Sequence, residues 1–283
     1  MKSLSLNAIL VLKGSDNMAH DNLIEARNKM VVKANDLIQK SRFDLSLQQQ
    51  KIILYLISQI QPIDKEFKLY EFSVVDFCKV CGIDPESGDK YKDIKKAIKD
   101  IADKSIWIKT EYDEETLLRW VEKPYINRNS GTIKIKLDED MKPYLLQLKS
   151  NFTQYELIYT LRFRSKYSIR LYELIKSIHY KDIVEYKRAF SVEKLKELLN
   201  GENYNQYKDF KKRVLIPSIN EINANSDKEI SINELKRGNR VEYIELIVKS
   251  KSVDDMIKTR IRIEDELGLD QFSLYDYLDE RKG

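Results

Sequence analysis

The sequence predicts an α+β protein made of two tandem winged helix-turn-helix domains of related fold. Three observations lead there. Leu-Tyr at 54–55 and 171–172, FSV at 72–74 and 190–192, and YKDIKK (91–96) and YKDFKK (207–212) recur in one order, at shifts of 117, 118 and 116 residues. That period is far longer than a solenoid repeat, and its near constancy marks two copies of one domain. Each copy also reads as helix, strand, short helix, turn, helix and β-hairpin, the element order of a winged helix-turn-helix. Finally, 283 residues with 42% hydrophobic content have room for two cores of ordinary size.

In the first copy, SLQQQKIILYLISQI (46–60) has apolar residues at 52, 53, 56, 57 and 60, a helical stripe with Ser46 as N-cap. KLYEFSV (68–74) is β-prone, and VVDFCKVCG (74–82) is a short helix stopped by Gly82. A turn, IDPESGD, leads into KYKDIKKAIKDIADK (90–104). This helix gathers Tyr91, Ile94, Ala97, Ile98 and Ile101 on one face and Lys92, Lys95, Lys96 and Lys99 across the other. Three β-prone runs follow, at 105–110, 117–126 and 131–137.

The second copy opens with the helix SKYSIRLYELIKSIHY (165–180), then the strand KRAFSV. The short helix VEKLKELLNG (192–201) is again closed by Gly, and a third helix runs over 204–224. Two strands (229–235 and 241–249) form a wing around KRGNR (236–240). The repeated hexapeptide therefore starts the third helix of each copy, which in a helix-turn-helix enters the major groove.

In the second copy's third helix, Phe210, Val214, Leu215, Ile219 and Ile222 turn inward at 100° per residue. Gln206, Asp209, Lys212, Arg213, Asn220 and Asn223 point largely the other way, with Lys208 and Lys211 adding positive charge. Arginine grips guanine with two hydrogen bonds, Asn or Gln grips adenine likewise, and lysine attracts phosphate. That helix thus reads as a sequence reader, while the first copy's, with lysines alone, reads as a backbone clamp. Pro217 should kink or interrupt the reader. Lys236, Arg237 and Arg240 at the wing tip suit a minor-groove or phosphate contact. Net charge is only +4, so the distribution of charge carries this argument.

Residues 31–60, 161–177 and 210–223 with the following wing resemble the iteron-binding plasmid replication initiator proteins, over about 31–250. The resemblance implies binding of direct repeats (iterons) at a plasmid origin by monomers, followed by origin opening with recruitment of the host replication helicase and its loader. It also implies a homodimer, in equilibrium with the monomer, that binds an inverted operator and represses its own gene. The N-terminal domain is then the dimerisation surface and the C-terminal domain the main reader. The expected division is an N-terminal arm (1–30), an N-terminal domain (31–150), a C-terminal domain (151–262) and a tail (263–283). The joint, 147–167, lacks Gly and Pro and holds Phe152, Tyr155, Leu157, Ile158 and Tyr159, so it reads as structured.

Other chemistry finds little support. Cys78 and Cys81 lack the further ligands zinc needs, and the histidines are only His20 and His179. Residues 82–90 resemble a phosphate-binding loop but have five residues between the glycines, and Asp before Lys. A rolling-circle nicking endonuclease would need closely spaced histidines beside a nucleophilic tyrosine. The acidic runs at 113–115 and 138–140 suit turns or a helix start. No catalytic residue, metal or cofactor is expected. A dedicated winged-helix transcriptional repressor is the alternative function. No apolar run is long enough for a membrane span. The first 20 residues read as a loose arm or as preceding a start at Met18, and the protein as cytoplasmic.

Overall fold

The structure, a computed structural model, describes residues 29–75, 78, 90–110, 114–127, 130–179 and 183–266. The first copy begins with β1 (Met30–Ala34), α1 (Asn35–Gln39), β2 (Ser41–Arg42) and α2 (Leu47–Ser58). Ser46 caps α2 through a reciprocal box: its hydroxyl accepts from the Gln49 N–H, and its own N–H donates to the Gln49 side chain. All ten residues from Gln49 to Ser58 are buried, which explains why α2 is apolar over most of its circumference. Next come β3 (Tyr70–Ser73), α3 (Lys90–Asp103), β4 (Ser105–Lys109), β5 (Glu115–Arg119), β6 (Tyr125–Asn127) and β7 (Thr132–Ile135). Helical backbone is present at 74, 75 and 78, while Gly82 and the turn after it lie outside the described residues. Ile94, Ala97, Ile98 and Ile101 of α3 are buried, as the periodicity requires.

One β-prone run divides differently from the expectation. Residues 117–126 contribute to two strands on two sheets: β5 joins β2-β4-β5, and β6 joins β3-β7-β6. The second sheet is the wing. Among the described residues the β4–β5 hairpin has no counterpart in the second copy.

A 3₁₀ turn (Glu139–Met141) and α4 (Lys142–Leu145) lead into the joint. It contains β8 (Phe152–Glu156) and α5 (Ile158–Leu161). Tyr155, Leu157, Ile158 and Tyr159 are buried. β8 pairs antiparallel with β1 along its whole length, Met30 opposite Glu156 and Ala34 opposite Phe152. This ribbon joins residues from the two sides of the expected 150/151 boundary and begins at Met30.

The second copy comprises α6 (Lys166–Ser177, capped by Ser165), β9 (Glu185–Ser191), α7 (Val192–Leu199), α8 (Tyr207–Phe210), a π-helical turn (Lys211–Leu215), α9 (Ile216–Asn225), β10 (Lys228–Arg237) and β11 (Arg240–Ser250). The sheet order β10-β11-β9 matches β6-β7-β3. A further helix, α10 (Val253–Glu266), buries Ile263 and so runs across the expected 262/263 boundary.

Helix α7 is closed by Asn200, not by the glycine: Asn200 takes the left-handed conformation (φ 57°). Asn tolerates that region because its short polar side chain bonds locally. Gly201 has a different reason to be small, since a Cβ there would come 2.8 Å from the Phe210 ring. Pro217 interrupts the α-helical register without ending the helix. The Ile216 N–H reaches back five residues to the Lys211 carbonyl, and the π-turn absorbs the missing donor.

The two copies are fused across α6. The Lys33 ammonium and the Tyr155 hydroxyl each donate 2.6 Å to Glu173, all three buried. Arg170 donates to the carbonyls of Leu198 (3.0 Å), Ile38 (3.3 Å) and Ser41 (3.4 Å), and lies 4.6 Å from the Phe43 ring centroid. Burial lowers the Lys33 ammonium's pKa, with Glu173 opposing the shift, and burial pushes the Tyr155 phenol well up. Arg42–Glu197 and Lys166–Asp44 (2.7 Å) close the rim.

Candidate nucleic-acid interface

The helix 207–225, expected to be the reader, is held by its apolar face: Phe210, Val214, Leu215, Ile219 and Ile222 are all buried. Glu221 fixes its far end to the start of α6 by accepting from the N–H groups of Arg164 (3.1 Å) and Ser165 (3.2 Å). What remains outward is Gln206, Lys208, Lys212, Arg213 and Asn220, all exposed. Arg213 is in the π-turn and Asn220 in α9, seven residues further along the same continuous helix, and both are on its exposed side. This leaves one guanine-type and one adenine-type hydrogen-bonding group on the exposed side of one helix, about 10 Å apart along its axis at 1.5 Å per residue, with Lys208 and Lys212 also exposed.

Two candidates have other employment. The Asn223 carboxamide donates to the Ile230 carbonyl (2.9 Å) and accepts from the Ile230 N–H (2.7 Å). It clamps β10 to α9 and is partly buried, correcting the expectation that it points outward. Lys211 is half-buried and paired with Glu234 at 2.6 Å. Tyr207 donates to the same Glu234 oxygen, also at 2.6 Å. Lys211, then Tyr207, hold the Glu234 carboxyl below its ordinary range. Neither Glu234 nor the Asn223 contact leaves a local sequence signal, since the partners are 27 and 7 residues away and on a different element.

The wing projects from the same side. β10 and β11 pair from Lys228–Ser250 to Arg237–Arg240, with a register shift at Leu235/Lys236. The two-residue loop has Gly238 at φ 61°, the position where a tight hairpin turn demands glycine. Lys236, Arg237 and Arg240 are exposed there. Arg240 is tied to Glu193 of α7 at 2.7 Å, and Arg237 lies 3.9 Å from Glu242.

The equivalent face of α3 is less free. Lys92, Lys96 and Lys99 are exposed and Lys95 is half-buried. Lys96 pairs with Asp100 (3.2 Å) and Lys99 with Asp103 (2.9 Å), and the latter bond raises the Lys99 pKa. Neither an arginine nor an asparagine occupies this helix.

Cys78 is buried; Cys81, His20 and the loop 82–89 lie outside the described residues. Among the described residues no group of three potential metal ligands occurs. Asp138 caps the 3₁₀ turn by accepting from the Asp140 N–H, and Glu139 bridges Lys136 and Lys142. No helix among the described residues is long and apolar enough to cross a membrane.

Family models agree with this geometry. "Initiator Replication protein, WH1" matches residues 30–176, and "Initiator Rep protein, WH2" matches 191–248. The chain belongs to the initiator replication protein family. A replication initiation protein of Escherichia coli is 27% identical over 216 residues, covering 74% of this chain and 66% of that protein. The present chain thus spans about two thirds of that relative's length. The crystal structure of the Pi initiator protein in complex with iteron DNA superposes with a TM-score of 0.66 at 20% identity, covering 80% of this chain and 99% of that one. That likeness establishes the tandem winged-helix fold for this initiator family member.

Proposed function

We propose that this protein is a plasmid replication initiator that binds iteron repeats at its origin. The carrying observation is the exposed Arg213 and Asn220 face, framed by Lys208, Lys212 and the Lys236–Arg240 wing tip. Support comes from the initiator family membership and from a relative of the same fold that was crystallised on iteron DNA. The second copy supplies base readout and α3 supplies phosphate attraction through Lys92, Lys96 and Lys99. Binding then opens an adjacent segment and recruits the host helicase and loader, with no bond-breaking chemistry by this chain. The test is a gel-shift titration with a duplex of the tandem repeats flanking the gene, followed by strand-opening footprinting on supercoiled origin DNA. Absence of a competitor-resistant complex at moderate salt would overturn the reading. Binding without opening would leave a winged-helix repressor, and stable nicking would indicate an endonuclease.

The dimer proposed to repress its own gene needs a self-complementary surface, and β5 offers one. It is the outer strand of β2-β4-β5, and Trp107 and Leu117, opposite each other in register, are each 51% exposed. Pairing β5 antiparallel with a second copy about Leu117 sets Glu115 against Arg119 twice, as two-fold symmetry requires. Leu117→Asp should shift the protein to monomer in sedimentation, and unchanged dimer would reject this surface.

A further inference from the structure

We infer that Glu234 is a positioning residue for sequence discrimination: it withholds Lys211 from phosphate and locks the wing to the reader helix. This rests on the reading above, that helix 207–225 lies on DNA.

A carboxylate within a basic surface costs affinity for a polyanion, so its presence asks for a reason. One Glu234 oxygen takes both the Tyr207 hydroxyl and the Lys211 ammonium at 2.6 Å. Tyr207 and Lys211 are four residues apart, so Glu234 grips two successive turns at the start of the reader. Lys211 is also the first residue of the π-turn, and its carbonyl accepts the five-residue bond from Ile216. On the strand side, Glu234 sits in regular register opposite Ile244, immediately before the shift at Leu235/Lys236. The clamp therefore lies where regular hairpin gives way to the wing tip. It joins the rigid root of the wing to the helix and leaves Lys236 and Arg237 beyond it exposed.

Two consequences follow. With Lys211 neutralised, non-specific attraction is lower by one cation. With the wing fixed relative to Arg213, the phosphate contacts of the wing and the base contacts of the helix must be met together, which only the correct register allows.

Glu234→Gln keeps the shape and an acceptor for Tyr207 but releases the ammonium. Binding is measured across a salt series on a duplex carrying one repeat from the DNA flanking the gene, and on a scrambled duplex of equal length. Affinity for the scrambled duplex should rise about tenfold. The salt slope should steepen by about 0.9, the value for one added phosphate contact. The ratio of specific to non-specific affinity should fall. Glu242→Gln makes the same charge change on the wing beside Arg237 and should leave that ratio unchanged. The double variant Glu234→Gln with Lys211→Gln should return the slope to the wild-type value.

An unchanged slope and ratio in Glu234→Gln would overturn the inference. So would an equal change of ratio in Glu242→Gln, which would reduce the effect to general charge. A parallel loss of affinity for both duplexes with a lowered melting temperature would also overturn it, as a purely structural role. Failure of the wild-type protein to prefer the repeat would instead overturn the underlying DNA-binding proposal.

Discussion

The two copies share one fold but place different chemistry on the same helix. In α3 the exposed Lys96 and Lys99 are paired within the helix to Asp100 (3.2 Å) and Asp103 (2.9 Å). In the 207–225 helix the corresponding acidic partner is on another element, Glu234 of the wing, and it takes one lysine only. Arg213 and Asn220 are then open beside Lys208 and Lys212. Intrahelical i,i+4 pairs are weak and exchange readily with phosphate, which suits a clamp that tolerates any sequence. Bidentate side chains on a helix fixed by a wing suit discrimination. The first copy diverged further by gaining the β4–β5 hairpin, whose outer edge carries Trp107 and Leu117. One copy thus presents exposed arginine and asparagine on its third helix, and the other presents the sheet edge β5.

The largest expected effect concerns what keeps the copies at one angle. Glu173→Ala would leave the Lys33 ammonium buried without its partner. It should destabilise the whole chain by about 3–5 kcal/mol, seen as a lower urea midpoint. If the midpoint falls by much less, or two separate transitions appear, the copies are independent and the comparison of fixed readers breaks.

Next come the reader's own contacts. Arg213→Ala or Asn220→Ala should each cost about 1–3 kcal/mol on the repeat and relax preference at particular base pairs. A library of single-base variants of the repeat would register this. The smallest effect belongs to α3. Lys96→Ala should cost under about 1 kcal/mol, equally on repeat and scrambled DNA, with a salt slope shallower by about one. Base preference altered by Lys96→Ala but not by Arg213→Ala would reverse the roles of the two copies.

Much of this is written locally in the chain. The duplication, the capped helix after Ser46, the apolar faces of α3 and of 207–225, the structured joint and the wing turn at Gly238 all follow from neighbouring residues. Periodicities of two and 3.6, and the φ preferences of capping and turn residues, act over a few positions and are legible there. The exposed pair of Arg213 and Asn220 follows for the same reason, because the core face of their helix fixes the opposite face.

What only the tertiary structure decided involves partners distant in sequence. Asn223 is on an outward-looking position of a helical wheel, yet its carboxamide is consumed by Ile230 across the turn. Lys211 looks as free as Lys212 until Glu234 is brought beside it. Asn200 rather than Gly201 closes α7, and Gly201 must stay small because Phe210 packs against it. The pairing of β1 with β8 and the buried Lys33–Glu173 bond join residues more than 100 positions apart. Side-chain availability and domain fusion depend on which surfaces meet when apolar faces are buried, and burial is a property of the assembled core rather than of any short stretch of sequence.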